Sequence, residues 1–189
     1  MIRIGILGDI GSGKSFVANS FGYPVFNADE EVSKIYKTNK KIYKKLKKKL
    51  PKFISKFPIN KIELTNAILS NKSNLKKIIN IIHQEVRRRM KLFLNKNRNK
   101  KIVILDIPLL LENKINNKKD ILIFVDSKKS EIEKRIKQRT NFNNKLFKKF
   151  KNIQYPSSYK KRNSHFIIKN NFTKKSVKKD IHNILNRIL

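Results

Sequence analysis

The sequence predicts an α/β protein: a parallel sheet of about five strands covered by helices on both faces, with an all-helical insert and a small lid. Three observations carry this. Short apolar runs alternate with helical patterns, which is how a parallel sheet with crossover helices reads. Gly8-Asp9-Ile10-Gly11-Ser12-Gly13-Lys14-Ser15 fits the phosphate-loop pattern G-x-x-x-x-G-K-[ST] without a mismatch, between a strand and a helix. No strand signal appears between residues 30 and 100.

Ile2 to Leu7 is a short apolar run that reads as a buried strand. The loop follows. Gly8, Gly11 and Gly13 carry no Cβ, so their N–H groups can turn inward and form a concave anion site. The chain has five glycines and none after Gly22, so three in one loop is a concentrated placement. The helix opening at Ser15 adds partial positive charge behind the loop. In this pattern Lys14 reaches the β- and γ-phosphates and the Ser15 hydroxyl ligates Mg²⁺. Asp9, Ile10, Gly11, Ser12, Gly13, Lys14 and Ser15 are thus the candidate nucleotide-binding residues. Gly22 can end the first helix in a left-handed conformation, and Tyr23-Pro24 forces an extended entry to the next element.

Val25-Phe26-Asn27 is the second strand, with Asp29 just past its carboxyl end. Ligands of open α/β sheets collect at such ends. Asp29 is either a proton acceptor for a substrate hydroxyl or the cap of the helix starting at Glu30; spacing alone leaves both open. Residues 30 to about 50 read as one basic helix, followed by helices over about 61–70 and 74–95. Leu75, Ile78, Ile79, Ile82, Val86, Met90 and Phe93 form an apolar stripe on the last. His83 and Arg87 lie four apart on one face, as a solvated pair or a grip for an anionic ligand.

Ile102 to Leu105 is a third strand that delivers Asp106, a carboxylate placed to meet Mg²⁺ through water. Pro108 stops it, and Glu112 is expected in a short helix. Ile121 to Asp126 is the clearest buried strand. Ser127 is expected to open a helix from about Ser130 to Arg139, and 140–159 is polar and basic, either a lid with Arg139 at its root or a plain connecting segment. Phe166-Ile167-Ile168 is the last strand, and 176–189 an amphipathic helix. The division expected is a core of 1–29, 101–139 and 162–189, an insert of about 30–100 and a lid of about 140–161.

A chain of 189 residues suits one such domain. It has no cysteine, hence no disulfide framework and no thiolate metal site. The first residues lack the features of a signal peptide, and no apolar run approaches the ~18 residues of a membrane span. The expectation is a cytoplasmic protein with no membrane partner. The formal charge of +34 has two readings. One is a polyanion partner. The other is coding bias, since Lys, Asn and Ile are abundant together and the lysines are spread along the chain; this second reading is preferred, with no specific nucleic-acid partner.

Over essentially its whole length the sequence resembles the dephospho-coenzyme A kinase family of P-loop nucleotide kinases. The resemblance is carried by the loop, by Asn27-Ala28-Asp29 against a D-A-D motif, and by His83 to Arg87 against H-P-x-[IV]-R. Pro108-Leu109-Leu110-Leu111-Glu112 matches P-L-L-x-E, Arg135 and Arg139 an R-x-x-x-R segment, and Gln154 to Lys160 a Q-x-P-x-x-x-K stretch. Phe166 to Asn170 resembles the closing strand and its Asn.

The resemblance implies ATP and Mg²⁺ as cofactors and phosphorylation of the ribose 3′-hydroxyl of dephospho-CoA, the last step of coenzyme A biosynthesis. It implies catalysis by Asp29, Lys14 and Arg139, acceptor binding by His83, Arg87, Pro108, Leu109 and Glu112, and metal binding at Ser15 with Asp106 through water. It leaves the oligomeric state open. Departures are Asp9 for the second loop glycine, Phe16 for Thr, Asn27 for Asp, Lys61 for Arg and Gln84 for Pro. The Asp9 carboxylate is expected to point away from the phosphates, which it would repel. Rival readings are another small-molecule kinase on this scaffold, for nucleotides or nucleosides, and a basic RNA-binding ATPase. An acceptor panel and salt-dependent RNA binding separate them.

Overall fold

A computed structural model describes residues 1–138 and 142–189. The elements of the first half are β1 (Ile2–Gly8), α1 (Lys14–Ser20), β2 (Val25–Asn27), α2 (Ala28–Thr38), α3 (Lys40–Lys49), α4 (Lys61–Ser70) and α5 (Lys72–Lys96). Then come β3 (Ile102–Asp106), β4 (Ile121–Asp126), α6 (Lys129–Lys137), α7 (Asn144–Asn152), α8 (Ser157–Arg162), β5 (Phe166–Lys169) and α9 (Lys174–Ile188). They form two compact units. One comprises Met1–Asn27, Asn97–Asn143 and Phe147–Leu189; the other Ala28–Lys96 and Asn144–Leu146.

The first unit holds a five-stranded sheet in the order β2-β3-β1-β4-β5. Every pairing is parallel, with Ile4 beside both Ile104 and Ile121. All five β3 residues are buried, as expected of a continuous apolar strand covered on both faces. On one face Ile4, Ile6, Ile104, Ile123 and Val125 pack with Val17 of α1, with Phe21 just past its end and with Val177, Ile181 and Ile184 of α9. On the other, Gly5 brings the β1 backbone against Leu110: a Cβ there would lie 2.6 Å from a Leu110 methyl. Gly22 closes α1 with φ 73°, as its position predicts.

The second unit is all helical over 28–96. The single helix expected from 30 to 50 is two. The Asn39 side chain accepts a 3.0 Å hydrogen bond from the Ile42 amide and caps α3, breaking the run without altering its amphipathic pattern. α5 buries Ile78, Ile82 and Val86 of the predicted stripe. An ion network ties α2 to α5: Arg89 meets Glu31 at 2.9 Å and Glu85 at 3.1 Å. Glu85 also bonds Arg88 at 2.8 Å and accepts from the Asn39 amide at 3.2 Å. Arg88 holds the Glu85 carboxyl down at about 2, against the effect of burial and with help from Arg89. Burial raises the Glu31 carboxyl, but Lys34 and Arg89 outweigh it and the net shift is downward.

One local expectation needs correction. Residues 108–114 form turns rather than a short helix, with Leu109 at φ 62° and Lys114 at φ 50° interrupting any helical run. α6 starts at Lys129, within a residue of the expected Ser130, and the Ser127 hydroxyl is engaged elsewhere. Among the described residues no helix is long and apolar enough to cross a membrane.

Candidate active site

β1 lies where the strand order reverses, with β3 and β2 on one side and β4 and β5 on the other. The crevice outside the carboxyl end of such a strand is where open α/β sheets take their ligands. β1 ends there at Gly8, and the loop begins.

Backbone geometry shapes the loop. Gly11 and Gly13 have φ of 88° and 85°, left-handed values that favour glycine. Gly13 has no room for a side chain either: a Cβ would sit 2.4 Å from the Asn170 amide nitrogen. Behind the loop, the Ser12 carbonyl accepts from Ser127 Oγ at 2.9 Å and from Asn170 Nδ2 at 2.8 Å. Asn170 is itself fixed, its N–H donating to the Asp126 carbonyl and its Oδ1 accepting from the Phe172 amide, both at 2.8 Å. Phe172 carries the Arg135 guanidinium over its ring, 4.1 Å from the centroid. The Ser12 side chain is buried in the loop, and its hydroxyl has no hydrogen-bond partner among the described residues.

The Lys14 ammonium folds over the loop and donates to the carbonyls of Gly8 at 3.2 Å and Asp9 at 2.9 Å. Lys14 shares a cleft with Leu109, Glu112, Gln154 and Lys160. Glu112 Oε1 there accepts from the Tyr155 amide at 2.8 Å, which links the turn after β3 to the chain leading into α8. The Asp9 carboxylate turns to α8, where Ser157 Oγ donates at 2.6 Å and Lys160 Nζ at 2.9 Å. Burial raises this carboxyl's pKa, and the bonds from Ser157 and Lys160 outweigh it, so the group is held below its ordinary value.

At the carboxyl ends of β2 and β3, the Asn27 amide donates to Asp106 Oδ2 at 2.9 Å and to Ser15 Oγ at 3.5 Å. The residue that departs from the D-A-D motif therefore joins the two predicted Mg²⁺ donors. With Asp at 27 two carboxylates would face each other; the amide instead supplies a donor to buried Asp106. Hydroxyl and carboxylate oxygens suit a hard divalent cation that keeps much of its water and takes phosphate oxygens, so these residues fit Mg²⁺.

The other predicted residues fall as follows. Pro108 is half-buried in the turn and is not among the residues lining the cleft. Asp29 lies exposed in the first turn of α2, inside the helix rather than capping it. His83 is half-buried on α5, with Arg87 exposed one turn on. Burial and then the Arg87 charge lower the His83 pKa, which keeps the imidazole neutral at pH 7 with one donor and one acceptor nitrogen. Arg139 lies outside the described residues. Sequence reasoning did not assign Lys160, Asn170 or Ser127 to the site. The first two stood within family-like stretches, so position in a motif was an available signal; Ser127 offered none.

A glycine-shaped loop at the start of α1 with the Lys14 ammonium folded over it suits the charge and shape of a polyphosphate, and on this sheet order it defines a P-loop nucleotide kinase. TT1252 from Thermus thermophilus superposes with a TM-score of 0.77 at 25% identity, over 100% of this chain and 98% of that one. The dephospho-CoA kinase from Campylobacter jejuni gives 0.64 at 23% identity, over 98% and 96%, and shares the fold. In sequence the chain is 31% identical to a dephospho-CoA kinase of Wolbachia sp. subsp. Brugia malayi, over 98% of this chain and 97% of the relative. Residues 2–176 match the family described as CoaE, dephospho-CoA kinase. The chain belongs to that family. It is a kinase, and its reaction is the ATP-dependent phosphorylation of dephospho-CoA in coenzyme A biosynthesis.

Proposed function

We propose that the γ-phosphoryl group of ATP passes to the ribose 3′-hydroxyl of dephospho-CoA, giving CoA and ADP, and that the residues divide the work as follows. Asp29 accepts the hydroxyl proton. Lys14 and Arg139 neutralise charge that develops on the transferred group. Ser15, with Asp106 through water, holds Mg²⁺, which when bound supplies charge neutralisation at the phosphate oxygens. His83 and Arg87, with Pro108, Leu109 and Glu112, hold the acceptor. The insert of about 30–100 is the acceptor-binding part and 140–161 the lid. The compartment is the cytoplasm.

The observation that carries this reading is the Asn27 amide spanning Ser15 Oγ and Asp106. It brings together the two oxygens assigned to Mg²⁺ in this reading, at the end of β2, two residues before Asp29 in the chain. The test is ADP release with dephospho-CoA, AMP, CMP and deoxynucleosides as acceptors, with Lys14→Ala as the inactive control. Dephospho-CoA is expected to be the preferred acceptor. Asp29→Ala is expected to lower turnover by ~10²-fold or more, the range of positioned acid–base groups. An unchanged rate removes Asp29 from its role, and preference for another acceptor overturns the substrate assignment.

A further inference from the structure

The acidic residue in this phosphate loop occupies a built contact. Asp9 Oδ1 accepts from Lys160 Nζ at 2.9 Å and Oδ2 from Ser157 Oγ at 2.6 Å. Lys160 is 3% exposed. Its ammonium also donates to the Gly8 carbonyl at 3.3 Å, the oxygen that accepts from Lys14 at 3.2 Å. Two ammonium groups thus converge on one carbonyl at the mouth of the anion cradle, and both line the cleft beside it. An ammonium has three donors. Gly8 and Asp9 take two of those on Lys160, which leaves a third for another acceptor.

A buried ammonium without a counter-charge is costly. Asp9 supplies that counter-charge from within the loop itself. A polyphosphate arriving at the loop brings a stronger anion to the same ammonium, and it meets the Asp9 carboxylate as a like charge. We propose that Asp9 is an internal anion that occupies Lys160, and that Lys160 is a second phosphate-contacting lysine beside Lys14. Nucleotide binding is then an exchange: the di- or triphosphate chain takes Lys160 as partner, while Ser157 keeps hold of the displaced Asp9. The loop's positive charge stays compensated between turnovers, and the affinity for polyphosphate is held below what two free lysines would give.

The inference rests on ATP binding at the loop and not on the acceptor roles proposed above. It is tested on the full chain by titration calorimetry with ATP and, separately, with inorganic pyrophosphate, no acceptor being present. Lys160→Met is expected to weaken both by about tenfold or more, as loss of a charge-assisted hydrogen bond implies. Asp9→Asn keeps the shape but not the charge, and is expected to tighten both by about three- to tenfold. A thermal melt of each variant checks folding, and the isosteric Asp9→Asn carries the test if Lys160→Met does not fold. The two opposite signs separate an exchangeable anion from a strut that only docks α8. Asp9→Asn that binds no tighter than wild type, or a folded Lys160→Met with unchanged affinity, overturns the inference. Wild-type protein that binds neither ligand would instead overturn nucleotide binding at the loop.

Discussion

The phosphate loop and the helical unit of 28–96 both hold cations, and they neutralise them differently. In the loop, Lys14 rests on the carbonyls of Gly8 and Asp9. In the helical unit, Arg88 and Arg89 rest on the carboxylates of Glu85 and Glu31. A carbonyl is a partner that a phosphate oxygen can outcompete; a carboxylate paired with a guanidinium is a stronger one. The contrast separates cations kept for a ligand from cations used to hold helices together. Asp9 is the instructive exception, a carboxylate among the ligand-facing cations.

The largest effect that sharpens this contrast is expected at Gly13. Gly13→Ala places a Cβ at φ 85° and 2.4 Å from the Asn170 amide nitrogen. Left-handed backbone and overpacking together are expected to cost about 2–4 kcal/mol, read from chemical denaturation. The loop then fails by distortion although every cation remains. A Gly13→Ala protein as stable as wild type would break the claim that backbone geometry holds the loop.

The helical unit is expected to respond to charge instead. Arg89→Met removes the partner shared by Glu31 and Glu85, and a loss of about 1–2 kcal/mol is expected for a partly buried pair of this kind. The pH dependence has a definite sign. The folded Glu85 carboxyl lies at about 2, below its ordinary 4.5. Its stabilisation is therefore complete above the ordinary glutamate range and is lost as pH falls from 4.5 towards 2. Glu31, also lowered, acts in the same direction. Urea unfolding at a series of pH values should show stability falling with acid across that window, and a flatter dependence in Arg89→Met. Equal slopes in the two proteins would detach the network from the stability of the helical unit.

How much of this was legible in the sequence follows the same division. The loop could be read because its requirements are local: glycine where φ is positive, then Lys14 and Ser15 at fixed offsets. The β3 and β4 strands were legible as continuous apolar runs. The break at Asn39 was not, since α2 and α3 keep one helical periodicity across it and only the capping bond reveals the stop. Partners distant in sequence were invisible. Asp9 was expected to face away from the phosphates, but its partner Lys160 is 151 residues on. Asn170 reaches Ser12 across 158 residues, and Arg89 reaches Glu31 across 58. The match of Glu112 to a family motif suggested acceptor binding, yet did not disclose its bond to the Tyr155 amide.

The smallest effect tests whether the neutral bonds behind the loop are equivalent. The Ser12 carbonyl has two donors, and they differ in what their loss leaves behind. Ser127→Ala removes one bond, and Asn170 still satisfies the carbonyl. About 1 kcal/mol is expected, seen as a melting shift of about 2–4 °C for a chain of this size. Asn170→Ala removes the other bond and also orphans the Phe172 amide, which donates to Asn170 Oδ1. Its cost is expected to be about 2 kcal/mol, because the part-buried Phe172 amide loses its partner as well. Equal shifts in the two variants would mean that the loop is held by shape alone and that the carbonyl's partners are interchangeable. A larger loss at Asn170 would identify β5, the last strand in the chain, as the element that sets the position of the first loop.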